Sequence, residues 1–252
     1  MVRLASLVIS LLALGAAVSA TPRGSAAASG GAVGIDVSRF NGGIGWTRVA
    51  ASGVEFAFVA ASRGSGDDCT VKPRRCGADP MYERNSERAS ATGIRVGAYH
   101  RGFANGDGRA EVRQDARAEA DLFISRVGGL RRGDLLPVLD VETPFGGLDP
   151  GELRLWVGTW LDRVRDRLGR RPIVYTNITS WRATEDTRQF AREGHHLWVA
   201  HWQVSEPSVP AGNWNGRGWA VWQFTNSGRV KGIRGRVDMD RVRSGFGKIL
   251  VR

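Results

Sequence analysis

The sequence predicts an α/β fold closed as a single barrel of eight strands with about five helices. Apolar, β-branched runs recur at 33–38, 55–61, 94–100, 135–142, 172–177, 196–201, 219–224 and 236–240, with the length and composition of strands. Helical signals fill the gaps between the first six. Strand and helix therefore alternate five times, the order that builds a parallel sheet, and three strands with short connections finish the barrel without outer helices.

The elements follow in order. Arg3 gives a positive start, an apolar run covers 4–18, and the small residues Ser19 and Ala20 end it, the pattern of a cleaved export signal over 1–20. That run is too short to span a bilayer comfortably, and no later stretch is long and apolar enough to replace it. A secreted, extracellular protein with no membrane anchor is expected. Residues 21–32, rich in Gly, Ala and Ser, read as a flexible lead-in. The barrel then takes 33–252. The roughly 230 residues left after the signal suffice for one such core, and a second full domain would be crowded.

A short first helix lies around Trp46 and Val49 and ends at Gly53. Asp79 before Pro80 opens the second, which Gly93 closes. The third carries Val112, Ala116, Ala120, Phe123 and Val127 toward the core. The fourth, 150–168, is specified at both ends. Asp149 caps it, Pro150 fills its first turn, Glu152 reaches back, and Gly169 suits a left-handed stop. Its apolar face is Leu153, Trp156, Val157, Trp160, Leu161, Val164 and Leu168. A fifth helix is expected over 179–191. The sum is a modified TIM-like barrel, a fold whose active sites lie where the strands end and the loops begin.

Composition narrows the chemistry. The formal net charge is +11, almost all of it from scattered Arg, with Lys only at 72, 231 and 248. Such a field attracts anionic partners, cell-wall polymers and nucleic acid alike, and no single basic run marks a specific nucleic-acid site. Cys69 and Cys76 sit close together in an exported chain and are expected to form a local disulfide. Histidines 100, 195, 196 and 201 lack tight ligand spacing, so no metal and no other cofactor is expected. Neither a Gly-x-Ser-x-Gly elbow nor a Walker-type loop occurs, which sets aside serine-hydrolase and nucleotide chemistry.

Carboxylates carry the signal. Asp140 and Glu142, two apart in Leu-Pro-Val-Leu-Asp-Val-Glu, leave the same face of a strand at its exit. Asp36 and Asp238 each interrupt an apolar strand, where an unpaired charge is expensive. Crowded carboxylates in a partly dry site split into protonated and ionised members, which is what cleavage of a glycosidic bond requires. The proton is assigned to Glu142.

The motifs together resemble the glycoside hydrolase family 25 lysozymes from Val33 to Arg241. The matching stretches are Gly-Ile-Asp-Val-Ser at 34–38, Val-Gly-Ala-Tyr-His at 96–100, Leu-Asp-Val-Glu at 139–142 and Arg-Arg-Pro-Ile-Val-Tyr-Thr at 170–176. Leu-Trp-Val-Ala-His at 197–201, Trp-Gln-Phe at 222–224 and Val-Asp-Met-Asp at 237–240 follow in the family's order. The resemblance implies hydrolysis of the β-1,4 bond between N-acetylmuramic acid and N-acetylglucosamine in peptidoglycan, with retained configuration. Glu142 would be the acid/base and Asp140 its partner, attacking the sugar or steering its acetamido group, while Asp36 and Asp238 complete the acidic pocket. By the same match Tyr99, Tyr175, Trp202 and Gln223 lie near the sugar.

The chain departs from the family at three places. It reads Ala60-Ala61-Ser62-Arg63-Gly64 where Lys-Ala-Thr-Glu-Gly is usual, Arg39-Phe40 where His and Trp are common, and Arg101 where an aromatic follows His100. The alternative reading is a barrel that binds wall glycan without cutting it. A monomer acting on peptidoglycan strands is the expectation.

Overall fold

The first and last strands of the barrel pair with each other, and the circle is closed there. The computed structural model describes residues 31–65 and 76–252. Its barrel strands are β1 (Val33–Val37), β2 (Phe56–Arg63), β4 (Arg95–Arg101), β5 (Val138–Asp140), β6 (Ile173–Thr176), β7 (Leu197–Ala200), β8 (Val221–Gly228) and β9 (Val237–Val242). Neighbours from β1 round to β8 are parallel. β9 runs antiparallel between β8 and β1. A two-residue strand that the sequence did not announce, β3 (Gly77–Ala78), pairs with the end of β2.

Large side chains fill the interior, so the barrel is a packed core. Phe56, Phe58, Leu135, Val138, Ile173 and Val221 are fully buried there. Phe58 stacks on Trp198 at 4.5 Å and Tyr175 meets the same indole edge-on at 4.6 Å. Two glycines make room for these rings. A Cβ on Gly34 would lie 2.4 Å from the Phe56 ring, and one on Gly97 would lie 2.7 Å from both Phe58 and Leu135.

Helices cover the outside. α1 (Trp46–Ala50) and α2 (Tyr82–Ser90) pack over β1 and β2, and α3 (Arg109–Val127) and α4 (Pro150–Leu168) cover the β4–β6 side. α4 has the predicted ends: the Asp149 carboxylate accepts from Glu152 N–H at 2.7 Å, Glu152 accepts from Asp149 N–H, and Gly169 ends the helix at φ 70°. Its buried face is Leu153, Trp156, Val157, Trp160, Leu161 and Val164, each contributing on the order of 1.5–3 kcal/mol by leaving water. The Asp79 carboxylate accepts from Met81 N–H at 2.8 Å in the turn that leads into α2, whose own cap residue, Met81, makes no side-chain capping bond.

Three expectations need correction. The fifth helix is broken into α5 (Ile178–Trp181), a 3-10 turn (Arg182–Thr184) and α6 (Gln189–Arg192), because Glu185 and Asp186 turn the chain with φ of 58° and 52°. A further left-handed turn, α7 (Pro210–Asn215), lies between β7 and β8, so the α segments among the described residues number seven. The fourth strand, expected over 135–142, runs only over Val138–Asp140, with Pro137, which has no N–H to offer a ladder, before it and an isolated bridge from Leu135 to Leu250. Glu142 therefore stands just beyond the strand.

The expected export signal lies outside the described residues, and so does all but the end of the lead-in, where the Ala32 carbonyl accepts from Val242 N–H at 3.0 Å. Cys69 lies outside them too, and with it the expected bridge. No described helix is long and apolar enough to cross a membrane.

Candidate active site

Parallel strands deliver their last residues to one rim. Asp36 comes from β1, Tyr99 from β4, Asp140 from β5, Tyr175 from β6 and Gln223 from β8, while antiparallel β9 brings Asp238 to the same end by its first residues. Glu142 and Trp202 follow β5 and β7. These eight residues, with Trp198 and Asn226, line one cavity of about 420 Å3. Acids far apart in the chain thus share one hollow.

Hydrogen bonds hold its parts. Gln223 Oε1 accepts from Tyr175 Oη at 3.0 Å and from Trp202 Nε1 at 2.9 Å, which turns Gln223 Nε2 toward Asp36, where it donates at 2.7 Å. Asn177, the cap of α5, donates Nδ2 to Glu142 Oε1 at 3.0 Å. Asp240 lies fully buried on β9, accepting from Trp198 Nε1 at 2.9 Å through one oxygen, while its other oxygen is buried without a hydrogen-bond partner among the described residues.

Arg101 straps the far wall. Its Nη1 donates to the carbonyl of Glu142 at 2.9 Å, its Nη2 to that of Thr143 at 2.8 Å, and its Nε lies 3.6 Å from Asp140.

Crowding and burial decide where protons sit. The Asp36 carboxyl is pushed well above the ordinary carboxylate range, chiefly by burial and then by Asp240 and Asp238, against a lowering by the Gln223 hydrogen bond. Asp240 is raised by burial and Asp238, with the Trp198 bond opposing. Burial and crowding thus favour the protonated forms of both Asp36 and Asp240. Burial likewise raises Asp140, while Arg101 draws it back down. Asp238 is pushed up to about 6 by burial and Glu142.

Behind the β2–β4 wall runs a buried chain of polar groups. Ser62 Oγ lies 2.8 Å from His100 Nδ1, and His100 Nε2 lies 2.6 Å from Glu119 on α3. Glu119 also accepts from Phe103 N–H. Burial holds His100 down to about 3 and pushes Glu119 up to about 8, so the two meet as a neutral imidazole and a neutral acid that donates to it. His195 Nδ1 bonds the Pro172 carbonyl and His201 Nδ1 accepts from Ser208 N–H, both structural contacts. Among the described residues no group of three or more His, Cys, Asp or Glu is arranged to hold a metal ion.

Asp240, Trp198 and Asn177 were not singled out from the sequence as site residues. Asp240 carried a signal, an acid two positions from Asp238 in an apolar strand. Trp198 was hidden among nine Trp.

The family model for glycosyl hydrolases family 25 matches residues 35–233, the span that holds every one of these groups except Asp238 and Asp240. The chain belongs to this family. It is therefore a glycoside hydrolase. Among curated proteins it is similar to Lysozyme M1 of Streptomyces globisporus, 33% identical over 227 residues that make up 87% of this chain and 70% of that one. N,O-diacetylmuramidase of Arthroderma benhamiae is 28% identical over 90% of this chain and 91% of its own. Among solved structures, the bacterial lysozyme of Streptomyces coelicolor superposes with a TM-score of 0.75 at 31% identity, covering 88% of this chain and 96% of that one. The closed barrel with its antiparallel last strand is thus the architecture of this family.

Proposed function

We propose that this glycoside hydrolase is a secreted muramidase that cleaves the β-1,4 bond between N-acetylmuramic acid and N-acetylglucosamine in peptidoglycan, with retention. The observation that carries the reading is the gathering of Asp36, Asp140, Glu142 and Asp238 around one cavity walled by Tyr99, Tyr175, Trp198 and Trp202. The names of the relatives, lysozymes and muramidases, agree with it.

Glu142 acts as acid and then base. Asn177 holds one of its oxygens, and the other has no donor among the described residues, which leaves it for the leaving oxygen of the glycoside. Asp140 is the partner carboxylate, attacking the anomeric carbon or steering the acetamido group, and Arg101 works against the burial that raises it. Asp238, ionised above about 6, adds negative field where positive charge develops on the ring, and Asp36, held toward its protonated form by burial, completes the acidic pocket. Trp202, 42% exposed and pinned through Nε1 to Gln223, offers its face to the apolar face of a sugar.

The same reading includes cleavage of the signal after residue 20 and a Cys69–Cys76 disulfide, both legible as intact mass of the exported protein before and after reduction. The decisive experiment is mass spectrometry of digested peptidoglycan. N-acetylmuramic acid is expected at the new reducing ends, and N-acetylglucosamine there would overturn the assignment. Glu142→Gln, which cannot deliver a proton, is expected to lower the rate about 10²–10⁴-fold with melting unchanged. An unchanged rate would remove Glu142 from its role.

A further inference from the structure

Beside the carboxylate cavity, and sharing Tyr99 and Asp140 with it, lies a second recess of about 140 Å3 whose wall includes Arg39, Phe40, Arg63 and Arg101. Arg63 and Arg101 end β2 and β4 and stand in register on neighbouring strands. Like charges so placed repel unless something between them is negative. Arg101 has Asp140 and the loop carbonyls, and Arg39 has Asp79 at 3.3 Å. Arg63 has no carboxylate and no hydrogen-bond acceptor among the described residues, and its Nε is buried without a partner. Its guanidinium is instead held between rings, 5.6 Å from the centroid of Phe40 and 5.0 Å from that of Phe103. Burial, then Arg101 and Arg39, weaken its hold on its proton, the direction expected for a cation with no counter-charge.

An oriented guanidinium fork with spare donors is the protein's ordinary means of holding an oxyanion. The recess has room for about five waters at ~30 Å3 each, enough for a carboxylate or phosphate group and too little for another substituted sugar ring. Phe40, 60% exposed, keeps the guanidinium plane in place without neutralising it.

We propose that this recess is an anion subsite in which Arg63 receives an oxyanion carried by the muramyl unit bound in the adjoining cavity. The inference rests on the muramidase reading. The shared chemistry is an oxyanion, and muramyl units offer it from two sources: the carboxylates of the lactyl-peptide arm, or a phosphate ester on the hydroxymethyl group. Position 63 thereby selects among strands by charge, where the family pattern places an acid.

The test compares cleavage of native peptidoglycan, of peptidoglycan whose carboxylates are capped as methylamides, and of peptidoglycan stripped of phosphate esters by hydrofluoric acid. Wild type is expected to favour the native strands by about tenfold or more in kcat/KM over one of the two treated forms, and that form names the source. Arg63→Met collapses the ratio toward one, whereas Arg63→Lys, which keeps the charge and loses the fork, retains part of it. A wild-type ratio near one against both forms, or a ratio that Arg63→Met leaves intact, overturns the subsite. Binding separates this from failure of the muramidase reading. With Glu142→Gln protein, calorimetry of N-acetylmuramic acid, its methyl ester and its 6-phosphate reads the subsite without turnover. Charge-independent binding of all three counts against it whatever the activity.

Discussion

On the β1, β8 and β9 side of the barrel mouth, Asp36, Asp238 and Asp240 crowd together and are kept in place by Gln223 and Trp198. On the β2 and β4 side the rim residues are Arg63 and Arg101, backed by the buried Ser62, His100 and Glu119. The two walls meet at Asp140, which faces the acids across the cavity and Arg101 on its own flank. The acidic wall tolerates like charges because protons take the place of counter-ions. The basic wall cannot do the same, since a guanidinium does not give up its proton, and it therefore leans on carbonyls, rings and one carboxylate. A titratable wall suits proton transfer, and a permanently charged one suits holding.

The comparison breaks first at the support of the basic wall. Glu119→Ala leaves buried His100 without its partner and opens a cavity, and is expected to cost roughly 3 kcal/mol in denaturant unfolding. Glu119→Gln should cost under about 1 kcal/mol, because the native pair is already neutral and an amide can donate to Nε2 as the acid does. Equal losses from both would show that the pair is an ion pair. Next comes Arg101→Met, which frees the carbonyls of Glu142 and Thr143. Misplacing Glu142, the proposed acid/base, by about 1 Å should lower kcat near 10²-fold with KM little changed. The pH limb set by Asp140 ionisation should move upward at the same time, since Arg101 is what draws that group down.

The acidic wall is sharpened by pH. Asp238 has its folded value raised to about 6, so folding takes up a proton there. Its stabilising contribution is present below the unfolded value near 4 and is lost as pH rises through about 6. The melting temperature should accordingly rise when pH is lowered from about 7 to about 5, and Asp238→Asn should flatten that dependence. A wild-type profile that falls over this range would show that the crowding is relieved in another way. The smallest effect expected is Tyr175→Phe, which removes one donor to Gln223 and should lower kcat/KM about fivefold, the equivalent of one ordinary hydrogen bond.

What could be read in the sequence was what local rules encode. The cap, first-turn Pro, apolar face and terminal Gly of α4 are all written within twenty-one consecutive residues, 149–169, and each has its structural counterpart. Asp36, Asp140 and Asp238 stood out because a carboxylate inside an apolar strand needs a reason. The broken fifth helix was illegible because its break depends on a distant partner: Asp186 turns out of the helix to accept from Ala211 N–H at 2.6 Å. The strap from Arg101 was illegible for another cause. Its acceptors are backbone carbonyls, and a carbonyl leaves no mark in the order of side chains.

The antiparallel seam between β1 and β9 fixes when the enzyme can work. Asp36 and its hydrogen-bond partner Gln223 are 187 positions apart, and Asp36 stands in register with Asp238, which is later still. A chain emerging from synthesis therefore carries the first half of its reactive hollow long before the second exists. Until the final strand slides into the gap, the hollow lacks Asp238, Asp240 and the seam that encloses it, so a partly made chain has no complete site.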